Sequence, residues 1–172
     1  MSGNVGTERR TIDPPPIIEL QEFKNGEYIP IIEALNFVYV RASLYDRFGN
    51  YCLNDSQTNA SRDFPNLLGE IIEPGLILDD EFGNSGTFFI FKDLSVRSPG
   101  VYMLKFILYN LESQVKDDEL TYRYSIDVTL SSPIINILKP KDFPGMMISS
   151  DITKAFKNQG LKLTIRNRPL HT

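Results

Sequence analysis

The sequence predicts an all-β domain: an antiparallel sandwich of immunoglobulin-like type with one short helix near the C-terminus. Three observations carry this. Short runs rich in β-branched and aromatic residues recur, at 35–45, 87–91 and 101–109. Turn signals separate the runs, among them Asn25-Gly26, Pro74-Gly75, Gly83-Asn84 and Pro99-Gly100. A single segment, near the end of the chain, has convincing helical spacing. Periodicity alone does not separate a sandwich from a barrel.

In chain order, residues 1–11 read as a flexible arm and 12–172 as one domain. Asp13-Pro-Pro-Pro16 cannot be a helix interior or a central strand, because proline fixes φ and lacks the backbone donor. It is expected to run, stiff and extended, into a first or edge strand at 17–23. Residues 35–45 read as a central strand. Residues 46–64 are polar and loop-like, and 67–78 form a short apolar segment broken at Pro74-Gly75. Asp79, Asp80 and Glu81 make an acidic turn. The runs 87–91 and 101–109 are strands joined through a polar segment closed by Pro99-Gly100. Residues 112–119 read as a charged turn. Residues 121–130 alternate, with Tyr122, Tyr124, Ile126, Val128 and Leu130 expected on one buried face. Ser132-Pro133 ends that strand, and 134–138 is another short one.

The helix spans 150–159. Ser149 or Ser150 can cap it, Asp151 sits in its first turn and Gly160 can end it. Ile152, Ala155 and Phe156 share its apolar face. Residues 161–166 read as a last strand, with Leu161, Leu163 and Ile165 inward and Lys162, Thr164 and Arg166 outward.

Several function classes are disfavoured. The N-terminal decapeptide is polar and does not read as a signal peptide. No apolar run approaches the roughly 18 residues of a membrane helix. The chain is therefore expected to be soluble and intracellular. Cys52 is the single cysteine, so neither an internal disulfide nor a Cys-based zinc site is available. Asn54-Asp-Ser56 and Asn59-Ala-Ser61 match the glycosylation triplet but read as loop composition. His171 is the single histidine, one residue from the end, where general acid–base work is poorly supported. Residues 79–81 lack the spacing of a calcium loop and read as a solvated turn. The aromatic side chains, including Tyr39, Tyr102, Phe106 and Tyr109, read as core packing rather than base-stacking surfaces. No catalytic residue, metal or cofactor is expected, and the chain does not read as an enzyme.

Basic residues remain. The net charge is −4, yet residues 139–172 hold Lys139, Lys141, Lys154, Lys157, Lys162, Arg166 and Arg168 against Asp142 and Asp151. Seven cations against two acids leave +5 there, and so −9 for the rest. Such asymmetry marks a polyanion-facing end or, more blandly, a solvated basic tail. Arg9 and Arg10 on the arm, Lys139 and Lys141 about Pro140, and Arg166 and Arg168 at the end of the last strand are the candidate phosphate contacts. Arg97 reads instead as a brace, pairing with Asp93.

The wording of several segments is specific. Ile12-Asp-Pro-Pro-Pro-Ile-Ile-Glu-Leu20 is followed by Ser43-Leu-Tyr-Asp46, Leu68-Gly69 and Leu78-Asp79-Asp80. Then come Asp93-Leu-Ser-Val-Arg97, Gly100-Val-Tyr102 and Leu104-Lys-Phe106. Phe143-Pro-Gly-Met146, Ser149-Ser150, Phe156, Gln159-Gly160 and Ile165-Arg166 complete the series. Each piece is weak; their order, from about Arg10 to Arg168, resembles the fungal velvet family of transcriptional regulators. Many members carry a further basic strand before the Asp-Pro-Pro-Pro motif, and eleven residues precede Ile12 here.

The resemblance implies a fold like the Rel-homology domain and binding of double-stranded DNA. It also implies homo- or heterodimers with other velvet proteins, no membrane partner, and location in the nucleus and also the cytoplasm. The expected role is control of development, sporulation and secondary metabolism. The residues comparable to the family's basic DNA-facing positions are Arg9, Arg10, Lys139, Lys141, Arg166 and Arg168. The alternative is a velvet-type dimerisation or adaptor subunit that does not itself touch DNA, favoured by the net acidity. A lectin-type sandwich is a third reading, for which the sequence offers no site.

Overall fold

A strand buried on one face alternates apolar and polar residues, whereas one covered on both faces need not. Gly86-Thr-Phe-Phe-Ile-Phe91 does not alternate, and the computed structural model, which describes residues 10–32, 38–52, 65–116 and 119–168, gives the reason. Phe89 and Phe91 pack into one core with Val40, Leu44, Leu104 and Phe106. Phe88 and Ile90 point the other way, into a second core with Leu78, Phe156 and Leu163. This stretch is therefore the middle layer of three: a sheet, a second sheet, and a helix with the C-terminal segment.

The middle sheet has four strands in the order β2 (Glu27–Pro30), β1 (Ile17–Lys24), β7 (Ser85–Ile90) and β6 (Leu76–Asp79). The facing sheet runs β10 (Glu119–Ser131), β9 (Gly100–Lys116), β3 (Val38–Asp46) and β5 (Ile72–Pro74), with β11 (Ile135–Ile137) paired to the start of β9. A small ribbon joins β4 (Leu67–Leu68) to β8 (Ser95–Val96). The pairings are antiparallel, as an all-β sandwich requires. The chain changes sheets between β5 and β6 at Gly75, where an added Cβ would lie 2.9 Å from Thr87 Cγ2. Only glycine lets the backbone pass that close.

The helix α1 (Asp151–Asn158) forms as its sequence predicts. Ser150 caps it, its Oγ accepting from the Thr153 N–H, and Gly160 follows it with φ +99°. Phe156 is fully buried and stacks at 4.8 Å on Phe88. The central position of β3 and the Asn25-Gly26 turn (φ 54° and 90°) also match expectation. Residues 35–37 of the expected strand lie outside the described residues.

Four expectations need correction. Residues 17–24 form the first strand as expected, but that strand is not an edge: β2, which its polar sequence hides, covers one side and β7 the other. The expected charged turn at 112–119 is mostly strand, because β9 runs to Lys116 and β10 starts at Glu119; the ladder bonds backbone groups whatever the side chains are. Along β10 the single apolar face fails. The register shifts between Ile126 and Val128, so Ile126 sits opposite Tyr109 and Val128 opposite Leu108. The bulge puts these two residues on different faces, and Ile126, Val128 and Leu130 are about half exposed on this edge strand. The side chains of Tyr122 and Tyr124 lie outside the described residues. Last, residues 161–166 alternate in burial but join no sheet; the Arg166 N–H donates to Ser149 Oγ (2.9 Å) and the Ser149 N–H to the Arg166 carbonyl (3.0 Å).

Two turns share one design. In Asp46-Arg-Phe-Gly-Asn50 and Asp80-Glu-Phe-Gly-Asn84, Asp Oδ1 accepts the N–H groups of the Phe and the Asn, and the Asn amide donates to Oδ2. Gly49 and Gly83 take φ +86° and +85°, a left-handed conformation open to glycine. The Asn side-chain bonds hold both carboxyls below the usual aspartate range.

Glu73 shows the opposite effect. It lies opposite Val40, on the inward side of β5, and its Oε1 is buried without a hydrogen-bond partner among the described residues. Burial pushes its carboxyl above the ordinary value of 4.5; Lys92 opposes this, and Glu70 and Asp93 add to it. The folded state therefore holds this proton more tightly than the unfolded state, and stability falls as pH rises through that interval. Glu73→Gln is expected to raise the melting temperature at neutral pH, and the gain should vanish below about 4.5. A gain of the same size at every pH would rule out ionisation as its cause.

Candidate nucleic-acid interface

The pairings put four segments at one end of the sandwich. β1 and β7 are antiparallel, with Ile17 opposite Ile90, so residues 10–16 lie where β7 ends. β3 ends with Asp46 opposite Tyr102, so the turn 46–50 lies beside the start of β9, next to Arg97 and Pro99. Ile137 pairs with Gly100, which sends residues 138–142 beyond the same end. The acidic turn 79–84 precedes β7 and lies at the far end. Topology thus brings Lys139 and Lys141 to the same end as the arm, whereas the C-terminus of α1, where Gln159 bonds the Asp79 backbone, lies at the far end.

Short contacts dock the arm there. The Ile12 N–H donates to the Leu94 carbonyl at 2.7 Å, and the Phe91 N–H to the Pro16 carbonyl at 3.0 Å. The Arg10 guanidinium lies 5.1 Å from the centre of the Phe143 ring, a cation–π contact that holds an exposed charge in place. Asp13 bridges three segments. Its Oδ1 accepts from Arg166 Nη1 at 3.2 Å, and its Oδ2 accepts the Met147 N–H at 2.7 Å.

The expected site residues therefore fall into groups. Arg10, Lys139, Lys141 and Arg168 are exposed. Lys141 belongs to a 3₁₀ turn, Pro140–Asp142, that leads into Phe143 under Arg10. Arg166 is different: only 19% of its side chain is accessible, and its guanidinium faces Asp13. It acts as a clasp between arm and C-terminal segment. Arg9 lies outside the described residues, as do His171 and the two glycosylation triplets.

Arg97 is exposed, and its Nε donates to the Pro65 carbonyl at 3.2 Å. It thus braces the turn through the backbone at 65–66, where the buried Asn66 also receives the Ser98 N–H. Asp93 ties the neighbouring loop, its Oδ1 accepting the Glu70 N–H at 2.8 Å.

Two further cations at this end escaped the sequence reading. Arg47 stacks on the exposed Phe48 ring at 4.6 Å, and Lys105 on Tyr45 at 4.2 Å. The Asp-x-Phe-Gly-Asn turn was the available signal for Arg47; no local signal marks Lys105.

Between the arm, the β8–β9 turn and β11 lies a cavity of about 500 Å³. Arg10, Ile12, Arg97, Ile135, Ile137 and Phe143 are among its walls. Among the described residues no cluster of three or more His, Cys, Asp or Glu is arranged to hold a metal ion, and no helix is long and apolar enough to cross a membrane.

A family model described as Velvet factor matches residues 49–169. The chain belongs to the velvet family. It is 32% identical over 163 residues to "Sexual development regulator velC" of Gibberella moniliformis, covering 92% of this chain and 35% of that protein. It is 29% identical to "Spore development regulator vosA" of Beauveria bassiana, covering 92% of this chain and 58% of that protein. It is 33% identical to a protein of Chaetomium globosum named as part of a velvet complex, covering 94% of this chain and 34% of that protein. This velvet chain spans 35%, 36% and 40% of three such relatives, from Gibberella moniliformis, Pyricularia oryzae and Ajellomyces capsulatus. The Asp93–Arg97 motif and the Leu104-Lys-Phe106 strand lie within the matched region, where they supply Leu94, Leu104 and Phe106 to the velvet core.

Proposed function

We propose that this velvet chain is a regulator of fungal development that acts in the nucleus by binding double-stranded DNA as a homo- or heterodimer. The observation that carries the reading is the gathering of Arg10, Lys139 and Lys141 at one pole, with Arg168 following the clasped Arg166. Phosphate contacts from such a set position a protein on a duplex, and one or two arginines read base edges. The names of the relatives, regulators of sexual and spore development, support the biological setting. Dimerisation is supported by exposed apolar side chains on the edge strand β10, Val128 and Leu130 (55% and 48% accessible) on one face and Ile126 (58%) on the other.

The test is titration of a random-sequence duplex at several salt concentrations. Arg10→Ala, Lys139→Ala and Lys141→Ala combined are expected to weaken binding. They should also flatten the slope of log K against log salt by about 0.9 for each phosphate that is no longer neutralised. An unchanged slope would remove these residues from the interface.

The second reading is an adaptor that touches a velvet partner and not DNA. The specific observation in its favour is the Asp13–Arg166 pair, which withdraws one cation from the basic set. A mobility shift seen only when a velvet partner is present would favour it.

A further inference from the structure

We propose that the cavity between the N-terminal segment and β11 binds a small organic anion with an apolar body and a single carboxylate head. The site shares Arg10 with the proposed DNA contacts but needs no DNA to form.

The volume, about 500 Å³, falls within the roughly 300–1,000 Å³ of small-molecule sites. Its chemistry is divided. Ile12, Leu68, Val96, Ile135, Ile137 and Phe143 supply an apolar lining. Phosphate or an inorganic ion has no use for such walls, whereas an alkyl or aryl body is desolvated by them. The charged lining residues are Arg10, Arg97 and Asp13. Asp13 is engaged on both oxygens, by Arg166 and by the Met147 N–H, so its charge is offset inside the protein. Arg10 and Arg97 give the lining its cationic groups, and both are exposed rather than withdrawn into the core.

The arginines are also positioned. Arg10 is stacked on Phe143, a wall residue, and Arg97 is anchored through Nε to the Pro65 carbonyl. Guanidinium groups held in place lose little freedom on taking a carboxylate, which they match in a planar, bidentate way. A neutral ligand of the same shape would fill the walls but leave this charge unused.

Decanoate and its amide, decanamide, are the probes, added to the full chain and followed by amide chemical shifts and calorimetry. Saturable one-to-one binding of decanoate is expected, with shifts concentrated on residues 10–13 and 135–138. The amide should bind roughly tenfold more weakly or worse, the scale of one charge-assisted hydrogen bond. Arg10→Gln, an exposed change that leaves the core untouched, should narrow the gap between acid and amide. No saturable binding at millimolar decanoate overturns the proposal. So do shifts located elsewhere, or equal affinities for acid and amide. Because DNA is absent from the assay, loss of the DNA reading leaves this result unaffected.

Discussion

Phe91→Ala is expected to destabilise the domain by about 3–5 kcal/mol, the usual cost of deleting a fully buried phenylalanine. The ring is 0% accessible and lies 5.2 Å from the Phe106 ring at 46°, bridging the two sheets. Leu94 and Leu104, in the same core, are each 1% accessible. Leu104 is paired with Leu44 across β3, and the Leu94 carbonyl is held by the Ile12 N–H, so neither can collapse into the space. The backbone bond from the Phe91 N–H to Pro16 survives the change, which isolates the packing effect. Since domains of this size have roughly 5–15 kcal/mol to lose, much of the native population goes with it. Phe48→Ala provides the contrast. That ring is 75% accessible at a turn tip, and its loss should cost within about 0.5 kcal/mol. The pair is compared by urea denaturation followed by circular dichroism. Equal midpoints would mean that Phe91 is not at the centre of the sandwich.

Asp13→Ala is expected to cost about 2–4 kcal/mol, between a surface pair and a fully buried one. The Asp13 and Arg166 side chains are 11% and 19% accessible, so water screens their attraction poorly. Removing the carboxylate strands a guanidinium and leaves the Met147 N–H without its acceptor. The exposed pair Lys154–Asp151, at 37% and 79%, is the reference: Lys154→Ala should cost less than about 1 kcal/mol. Asp13→Ala should also raise hydrogen exchange at Met147 and loosen the arm, while Phe91 and its neighbours stay protected. A cost no larger than that of Lys154→Ala would show that Asp13 clasps nothing. Arg166→Ala is informative beside it. Lost stability with an unchanged salt slope assigns Arg166 to the clasp, and a reduced slope assigns it to DNA.

These residues show how far the chain could be read beforehand. The helix was legible because its signals are local: Ser150, Asp151 and Gly160 lie within a turn of its ends, and Phe156 falls on the spacing its own helix imposes. The Asn25-Gly26 turn was legible for the same reason. β10 was misread because one residue of slip at 126–128 transfers the rest of the strand to the other face, and alternation cannot show where a bulge lies. β2 and the outer half of β9 were missed because their residues are polar and their pairing, not their composition, makes them strands. Of the candidate site, Arg10, Lys139, Lys141, Arg166 and Arg168 were found; Arg47 and Lys105, and the division into exposed charges and one clasp, were not.

By itself, then, the sequence determined the class of fold, the helix and its caps, the turns, the family and the uneven distribution of charge. All rest on preferences expressed within a few residues, or on motif order along the chain. Only the tertiary structure decided that β1 is interior, that Gly75 carries the chain between sheets, that Arg166 meets Asp13 across 153 residues, and that arm, loop and turn enclose a cavity. Such choices depend on which distant segments close on one another, and local periodicity is the same for every closure that buries the same face.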